Sequence, residues 1–437
     1  MTSEAVLVPR AEHNVSREDI SPNALKVLYR LHGAGHQAYL VGGCVRDLLL
    51  GQHPKDFDVV TDATPEQIKA LFRNCRLIGR RFRLAHIVFG REIIEVATFR
   101  GHHQIAESGS AQTSKQSEAG QLLRDNVFGT IEEDAERRDF TVNAMYYNIA
   151  DYSIRDFAKG REAIAKRELE LIGDPETRYR EDPVRMLRAV RFAAKLDFNI
   201  TQRAAQPIPE LAELLSNVAP ARLFEEVIKL FINGAGVKTF ELMQKYHLFG
   251  QLFPQVQPLL ENPQGKEYQF LQKVLINTDN RINSGLRVTP AFFYAAVMWY
   301  AVEERQQQHI NEGGFNRHDA FIMAMNDVLH RQMQRIMIPK RFTTVIRDIW
   351  LLQHRLPKRF GKRAWVTLEH ARFRAAYDFL VLRGEVEGGE IAEVGQWWTD
   401  FQEAGPAQRK KMLANLRGKD GKPTRRKRHY HNKNRDN

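Results

Sequence analysis

The spacing of apolar residues divides the chain into an N-terminal part that alternates between strands and helices and a longer part that is helical. Residues 21–35, SPNALKVLYRLHGAG, predict a helix with Ser21 as its N-cap, Pro22 in its first position and a glycine at its end. A short apolar strand at residues 39–41 follows, then a diglycine, a helix, and the further strands HIVFG and EIIEVATF. This alternation predicts an α/β domain with a small mixed sheet.

Beyond about Asp151 the apolar spacing is helical, as in residues 223–231 and 342–354. Proline-containing breaks indicate where one part ends and the next begins. The predicted parts are an α/β head at 20–150, a helical neck at 151–260, a helical body at 261–405 and a basic tail at 406–437.

Chain length, apolar runs and cysteine content limit the classes of protein to which this sequence can belong. At 437 residues the chain is expected to form two to four domains. No apolar run approaches the roughly 20 residues that span a bilayer, so stable membrane insertion is not expected. Of the two cysteines, Cys44 lies in the turn after the first sheet strand, so neither a disulfide nor a zinc site is predicted. The N-terminus lacks the apolar core of a secretion signal, and we expect a cytoplasmic protein.

Most of the net charge of +12 lies near the C-terminus, where residues 409–437 contain twelve lysines and arginines and two aspartates. Few apolar residues follow Leu416, so this tail is predicted to be disordered. Such a polycation binds phosphate backbones without sequence preference, which makes RNA the expected partner. The cations expected to contact RNA include a cluster of four: Arg425, Arg426, Lys427 and Arg428. A solubilising tail and an anchor for anionic lipids are the alternatives.

Residues 38–62, AYLVGGCVRDLLLGQHPKDFDVVTD, combine two features of nucleotide chemistry. Strand side chains alternate faces, so Asp56 and Asp58 point the same way if that segment is extended, and a divalent cation relieves the repulsion between them. Mg²⁺, with Mn²⁺ as the alternative, takes such oxygen ligands and keeps coordination positions for phosphates. Gly42 and Gly43 precede a helix and allow backbone N–H groups to approach a phosphate. Each feature alone is more typical of a turn, but their combined spacing predicts a nucleotide and metal site.

Two charged side chains extend this prediction. Arg46 is expected to face the triphosphate, with Asp47 holding it in place, and an exposed helical ion pair is the alternative. Glu95 interrupts an apolar strand, where an unpaired charge is costly. It is therefore predicted as a third carboxylate of the site, unless it faces water on an edge strand.

Two further motifs combine arginine with aspartate. Arg138 suits phosphate oxygens, and Asp139 is expected to hold ribose hydroxyls or to orient Arg138, with helix capping as the alternative. Asp182 and Arg185 follow a predicted helix start, share one helix face, and offer an acceptor and a donor to the edge of a base. An exposed ion pair on a capped helix is the alternative.

These motifs, in this order, resemble those of the class II nucleotidyltransferases, the group that contains tRNA CCA-adding enzymes and bacterial poly(A) polymerases. The resemblance covers about residues 38–200, and its later motifs lie in REIIEVATFR, ERRDFTVNAMYYN and YREDPVRMLRAV. It implies nucleotidyl transfer with metal ions held by Asp56 and Asp58, and with Asp139 in the active site. It also implies that Asp182 and Arg185 act as a protein template for the incoming nucleotide.

The substrate prediction depends on weaker features. The segment LIGRRFRLAHI resembles the stretch that separates bacterial poly(A) polymerases from CCA-adding enzymes, and Arg80, Arg81 and Arg83 are expected to hold the triphosphate or the RNA 3′ end. With RNA-binding helices in the body, we predict template-independent addition of AMP from ATP to RNA 3′ ends with release of pyrophosphate. Such tailing is expected to promote RNA decay, which makes RNA-decay proteins candidate partners. A CCA-adding enzyme and a non-catalytic RNA-binding protein are the alternatives.

Overall fold

The computed structural model describes residues 5–79, 83–101, 114–116, 122–125 and 127–419. The chain forms two compact units. The first contains the residues up to Pro254 together with Arg335–Met337, and the second contains Gln255–Gln334 and the residues from Ile338 onward. The predicted limits of head, neck and body stay predictions.

The first unit holds every strand of the described residues. These strands are β1 Val6–Val8, β2 Ala38–Val41, β3 Asp58–Thr61, β4 Cys75–Ile78, β5 Leu84–Phe89, β6 Glu92–Thr98, β7 Ser114–Gln116, β8 Leu122–Asp125, β9 Met145–Asn148, β10 Ile154–Asp156, β11 Glu168–Leu169 and β12 Asn199–Ile200. Its helices are α1 Pro22–Gly33, α2 Gly43–Leu49, α3 Pro65–Leu71, α4 Ile131–Glu136, α5 Gly160–Lys166, α6 Pro175–Glu181, α7 Val184–Leu196, α8 Gln202–Ala205, α9 Ile208–Leu211, α10 Pro220–Phe231, α11 Gly236–Lys245 and α12 Phe249–Leu252.

Eight of the strands form one sheet in the order β1-β10-β9-β2-β3-β6-β5-β4. Its neighbouring strands are antiparallel except for β3 and β6, which are parallel. Val41 at the end of β2 lies opposite Asp58, and Asp58 lies beside Glu95 of β6. The predicted mixed sheet is confirmed, and its register brings together segments that are far apart in the sequence.

The sheet extends beyond the strands that the apolar pattern predicts. β1 and β10 add to one edge of the sheet, and β11 and β12 form a separate two-stranded sheet. β10, β11 and β12 all lie after Asp151, where only helix was expected. These strands are two or three residues long. Segments of that length contain too few positions for an alternating pattern to be recognised.

Apolar side chains cover both faces of the sheet. On β2, Leu40 packs into one cluster with Val45 of α2, whereas Tyr39 and Val41 pack on the opposite face with Ile131 of α4. Successive strand residues alternate faces, so Asp58 lies on the same face as Val60 and α4. The candidate carboxylates therefore lie on the α4 side of the sheet.

Helix α1 follows its local sequence closely. The Ser21 side chain accepts a hydrogen bond from the Asn23 N–H, Pro22 is the first helical residue and Gly33 is the last. The predicted helix is therefore confirmed at both ends.

The secondary structure of the second unit, in its described residues, consists of helices and the turns that connect them. Its helices are α13 Lys266–Asn283, α14 Pro290–Val297, α15 Trp299–Gly313, α16 Arg317–Arg335 (whose last residue belongs to the first unit), α17 Lys340–Arg355, α18 Lys362–Leu368, α19 Phe373–Glu387, α20 Gly389–Glu403 and α21 Pro406–Lys419. Within the part of the chain that the structure describes, we find no helix whose length and hydropathy suit a bilayer crossing.

Helix α21 corrects the prediction of a tail that is disordered from residue 406. Leu413 is 9% exposed and packs into an aromatic cluster of the second unit. The Arg409 guanidinium lies over the rings of Trp365 and Phe401, and its Nε donates to the Phe401 carbonyl oxygen at 2.8 Å. Composition alone does not reveal this packing. The remainder of the predicted tail, with Arg425, Arg426, Lys427 and Arg428, lies outside the described residues.

Candidate active site

The turn between β2 and α2 brings backbone and a cation together. Gly42 has a φ of 80° and a ψ of −136°, a conformation that glycine adopts without steric cost. A Cβ at Gly42 would lie 3.6 Å from Nη1 of Arg138, so the Arg138 guanidinium lies beside the turn. Helix α2 begins at Gly43, and the first N–H groups of a helix have no partner within it. The turn therefore combines backbone donors with a positive charge.

Asp56 and Asp58 flank the buried ring of Phe57, and both are exposed to solvent. Although solvent reaches Asp58, the surrounding protein desolvates its carboxylate, which raises its pKa to about 6. The negative charges of Glu95 and Asp56 add to this rise, and the positive charge of Arg138 opposes it. Glu95 and Asp56 thus lie close enough to Asp58 to repel its negative charge.

The donor set fits Mg²⁺ or Mn²⁺, because it consists of carboxylate oxygens whose mutual repulsion a divalent cation relieves. Within the described ranges, no group of three or more His, Cys, Asp and Glu side chains is arranged to hold a metal by itself. Asp56 and Asp58 would supply only some of the oxygen ligands that such a cation takes, and water or phosphate oxygens would supply the others.

Glu95 lies on an interior strand between β3 and β5, so it is not on an edge strand as the alternative had it, although its side chain does face water. Its side chain is 48% exposed, and Nε2 of His86 lies 3.2 Å from its Oε1. His86 is the antiparallel neighbour of Glu95 on β5. Sequence reasoning missed His86, although a lone polar residue in the apolar run HIVFG is a usable signal.

Arg138 is held by two residues that the sequence analysis did not select. Its Nε and Nη2 donate to Oδ2 of Asp134 at 3.1 and 2.9 Å, and its Nε also donates to the Tyr146 hydroxyl at 2.8 Å. The Tyr146 hydroxyl in turn donates to Asp134 at 2.7 Å. Burial would raise the pKa of Asp134, but Arg138 and Tyr146 lower it below its usual range. Asp134 stays ionised and holds the Arg138 charge beside the turn.

Asp139 is oriented by Arg188 of α7. Nε and Nη2 of Arg188 lie 2.6 and 2.5 Å from Oδ2 of Asp139, and the Phe140 N–H donates to Oδ1 at 2.8 Å. Burial alone would raise the pKa of Asp139, but the charge of Arg188 and these hydrogen bonds lower it to about 2. Asp139 is therefore ionised at neutral pH.

Arg46 is 3% exposed, which contradicts the alternative of an exposed helical ion pair. Its Nε and Nη2 donate to Oδ1 of Asp47 at 2.8 and 2.6 Å, and its Nη1 donates to Oδ1 of Asn143 at 2.7 Å. Its guanidinium also lies over the ring of Phe192, 5.3 Å from the ring centre. Asp47 holds Arg46 as predicted, but the side chain joins α2 to Asn143 and α7 within the protein.

The predicted helix start at Glu181 is a break between two helices. Glu181 is the last residue of α6, and α7 begins directly after Pro183. The proline was correctly expected to open a helix, to within one residue. The pattern did not show that a separate short helix ends immediately before it.

Asp182 and Arg185 are held by different partners. Both Asp182 oxygens accept hydrogen bonds from Arg222 of α10, at 2.8 and 2.7 Å. Nη1 of Arg185 donates to Oε2 of Glu181 at 2.9 Å and to the Arg178 carbonyl at 2.7 Å. Both predicted base-reading side chains are thus oriented by neighbouring groups, of which sequence reasoning did not identify Arg222.

Arg178 connects these two motifs. Its Nη2 donates to the carbonyl oxygens of Arg137 and Arg138 at 2.7 and 2.8 Å, and its Nη1 donates to Glu181 at 2.9 Å. Burial and the neighbouring Arg185 lower the pKa of Arg178 to about 10. The segment at residues 137–139 is therefore joined to α6 and α7.

The basic segment at residues 77–87 is only partly described. Nη1 of Arg83 lies 2.6 Å from Oε1 of Glu66, and both side chains are exposed. Arg80 and Arg81 lie outside the described residues.

Family models match three stretches of the chain. Residues 38–170 match the Poly A polymerase head domain, residues 197–260 match the probable RNA and SrmB-binding site of polymerase A, and residues 313–433 match the polymerase A arginine-rich C-terminus. The chain is 56% identical to Poly(A) polymerase I of Salmonella typhimurium, over 94% of this chain and 88% of that protein.

CCA-adding enzymes are more distant relatives. The enzyme of Lactobacillus helveticus is 36% identical over 51% of this chain and 53% of its own length. A crystal structure of the Bacillus stearothermophilus CCA-adding enzyme in complex with CTP has a TM-score of 0.57 and 23% identity, covering 90% of this chain and 91% of that one. That likeness supports the fold.

Proposed function

This chain belongs to the bacterial poly(A) polymerase family of nucleotidyltransferases, and from that premise we propose how its residues transfer adenylate to RNA. The near-full-length similarity to poly(A) polymerases favours poly(A) addition over CCA addition, for which the similarity covers about half of the chain. The observation that carries the proposal is the register of β2, β3 and β6, because it gathers the Gly42 turn, Asp58 and Glu95 beside Arg138.

The reaction joins the 3′ oxygen of RNA to the α-phosphorus of ATP and breaks the bond from that phosphorus to the departing pyrophosphate. Asp56 and Asp58 would hold Mg²⁺, and the bound cation would supply activation of the attacking oxygen and neutralisation of the leaving group. Glu95 adds negative charge beside Asp58 and strengthens the attraction for the cation. The backbone of Gly42 and the fixed charge of Arg138 hold the triphosphate.

Two groups position the nucleotide further. Asp139, ionised and oriented by Arg188, accepts hydrogen bonds from the ribose hydroxyls. Arg46 acts as a positioning residue for the turn between β2 and α2, because its buried donors already bind Asp47 and Asn143. A direct contact of Arg46 with the triphosphate is therefore not part of the proposal.

Asp182 and Arg185 select adenine. Their contacts with Arg222 and Glu181 favour this role, because a side chain held in one orientation discriminates between base edges at lower entropic cost. We place the reaction in the cytoplasm, where ATP and RNA 3′ ends are both available. RNA-decay proteins remain the predicted partners.

The function is tested by incubating the protein with Mg²⁺, an unstructured RNA and each labelled nucleoside triphosphate separately. Long ladders with ATP alone are expected. Addition of a few residues that requires CTP and a tRNA-like end would instead identify a CCA-adding enzyme.

The metal role is tested by Asp58→Asn, with Asp62→Asn at the other end of the strand as the matched control. Asp58→Asn is expected to lower incorporation by about a thousandfold, or about 4 kcal/mol, while RNA binding is nearly unchanged. Asp62→Asn should remain close to wild type. Retained turnover in Asp58→Asn would refute the metal role.

A further inference from the structure

A basic cleft lies on the second unit, between the end of α17 and α18. Its volume is about 400 Å³. Four exposed cations line it: Arg355, Lys358, Lys362 and Arg363. Leu352 and Thr367 form its buried floor, and Val366, which is 68% exposed, lies at its rim. The lining side chains include no carboxylate.

The cations of this cleft differ from other cations of the same unit. Lys273 and Arg374 lie 2.8 and 3.0 Å from the carboxylates of Glu385 and Asp378. Within the described part of the chain, none of the four cleft cations is paired with a carboxylate. A concave surface with one sign of charge concentrates the electrostatic field and attracts the opposite charge. The arrangement therefore favours an anion with several charges.

The size and lining of the cleft match a nucleic acid better than a small ion. Its volume exceeds that of a single phosphate, and its floor combines an apolar side chain with a hydroxyl. Cations that track the phosphate backbone are one of the two components of single-strand recognition, and the other, a ring on which a base stacks, is represented in the lining by His370.

We propose that this cleft binds a segment of the RNA substrate upstream of its 3′-terminal nucleotide. The inference rests on the proposed function, since it takes RNA as the substrate. It assigns to the second unit a specific surface that increases the affinity for long RNA and does not take part in the chemistry.

The first test removes three of the charges together, as Lys358→Gln, Lys362→Gln and Arg363→Gln. The matched control removes three exposed cations of the same unit that do not line the cleft, as Arg287→Gln, Arg331→Gln and Arg341→Gln. Steady-state kinetics are measured with an RNA of about 30 nucleotides and one of about 5, at several salt concentrations.

In the cleft variant the KM for long RNA should rise about five- to twentyfold, and its salt slope should fall by about 2, since each neutralised phosphate contributes about 0.7. The KM for ATP, the kcat and the KM for short RNA should not change. An equal rise in the control variant would overturn the proposal, because general charge would then explain the effect. Unchanged RNA kinetics in the cleft variant would also overturn the proposal. If that variant then bound an acidic peptide more weakly, the cleft would be a protein-binding surface and not an RNA-binding one.

A second test uses the exposed rim, where folding is least affected. Val366→Glu places a negative charge beside the bound phosphates and should raise the KM for long RNA. Val366→Gln introduces a side chain of nearly the same size as glutamate but without charge, and should leave that KM unchanged. Equal effects of the two variants would overturn the proposal. If only the cleft proposal is wrong, the wild-type protein still makes long poly(A) ladders from ATP. If the proposed function is wrong, the wild-type protein makes no such ladders.

Discussion

A proton and a metal cation compete for the Asp58 carboxylate. Its pKa, raised to about 6 by desolvation and by Glu95 and Asp56, means that it binds a proton below pH 6 when no metal is present. Because a metal binds the deprotonated carboxylate, the apparent metal affinity should be constant above pH 7 and fall by up to about tenfold per pH unit below 6.

The pH dependence of the metal affinity is measured from the concentration of free Mn²⁺, determined by electron paramagnetic resonance between pH 5 and pH 8. Nucleotide is left out of these samples, because its phosphates also titrate in this range. The Asp58→Asn variant serves as the control and should bind weakly at every pH. An affinity that does not change between pH 7 and pH 5 would contradict a metal role for Asp58.

Arg185 carries the second prediction at the residue scale. Arg185→Ala removes the donor that Glu181 and the Arg178 carbonyl hold in place, so the preference for ATP over CTP should fall by about tenfold or more. The ratio of kcat/KM for the two nucleotides measures this preference. Arg180→Ala is the matched control, since Arg180 lies on the adjoining helix α6 in an exposed pair with Glu176. An unchanged ratio would assign base selection to other residues.

At the scale of elements, α7 is joined to the segment at residues 137–139 by the pair of Arg188 and Asp139. The Asp139 side chain is 12% exposed, so its charge is stabilised mainly by Arg188. Arg188→Gln leaves that carboxylate without its partner and should lower the free energy of unfolding by about 2–3 kcal/mol, less than for a fully buried pair because Arg188 is one-third exposed.

Urea unfolding of Arg188→Gln, Asp139→Asn and the double variant gives the coupling between the two side chains. The double variant should be destabilised by less than the sum of the single variants, because no unpaired charge remains. Arg180→Gln, which removes an exposed pair, should change stability by less than about 1 kcal/mol. Additive destabilisation would show that the pair does not join the two elements.

At the scale of the whole molecule, the C-terminal region combines a packed helix with a charged extension. Removing residues 420–437 deletes seven lysines and arginines but leaves α21 in place. RNA binding should weaken, and its salt slope should become flatter by about 0.7 for each phosphate that the extension had neutralised, with Tm and ATP preference unchanged.

Removing residues 406–437 should also lower Tm, because Leu413 and Arg409 no longer cover Trp365 and Phe401.

Salt-dependent RNA binding and thermal unfolding of the two truncated proteins separate these contributions. An unchanged salt slope after removal of 420–437 would exclude the extension as an RNA-binding segment. Equal Tm values for both truncations would contradict a structural role for α21.

The sequence by itself determined the features that depend on neighbouring residues. The start of α1 follows from Ser21 and Pro22, because capping and proline act within one turn of helix. The exposed, buried, exposed order of Asp56, Phe57 and Asp58 follows the expected alternation, although Asp56 precedes β3, which begins at Asp58. The resemblance that these short motifs carry indicated the family and the class of reaction.

Only the tertiary structure decided which distant residues complete the site. The parallel register of β3 and β6 brings Glu95 beside Asp58, and the fold pairs Asp182 with Arg222. Burial makes Arg46, which was predicted to face the triphosphate, an internal connection to Asp47 and Asn143. These outcomes depend on strand register and on the desolvation of charges, which arise when segments far apart in the sequence pack together, so no local pattern encodes them.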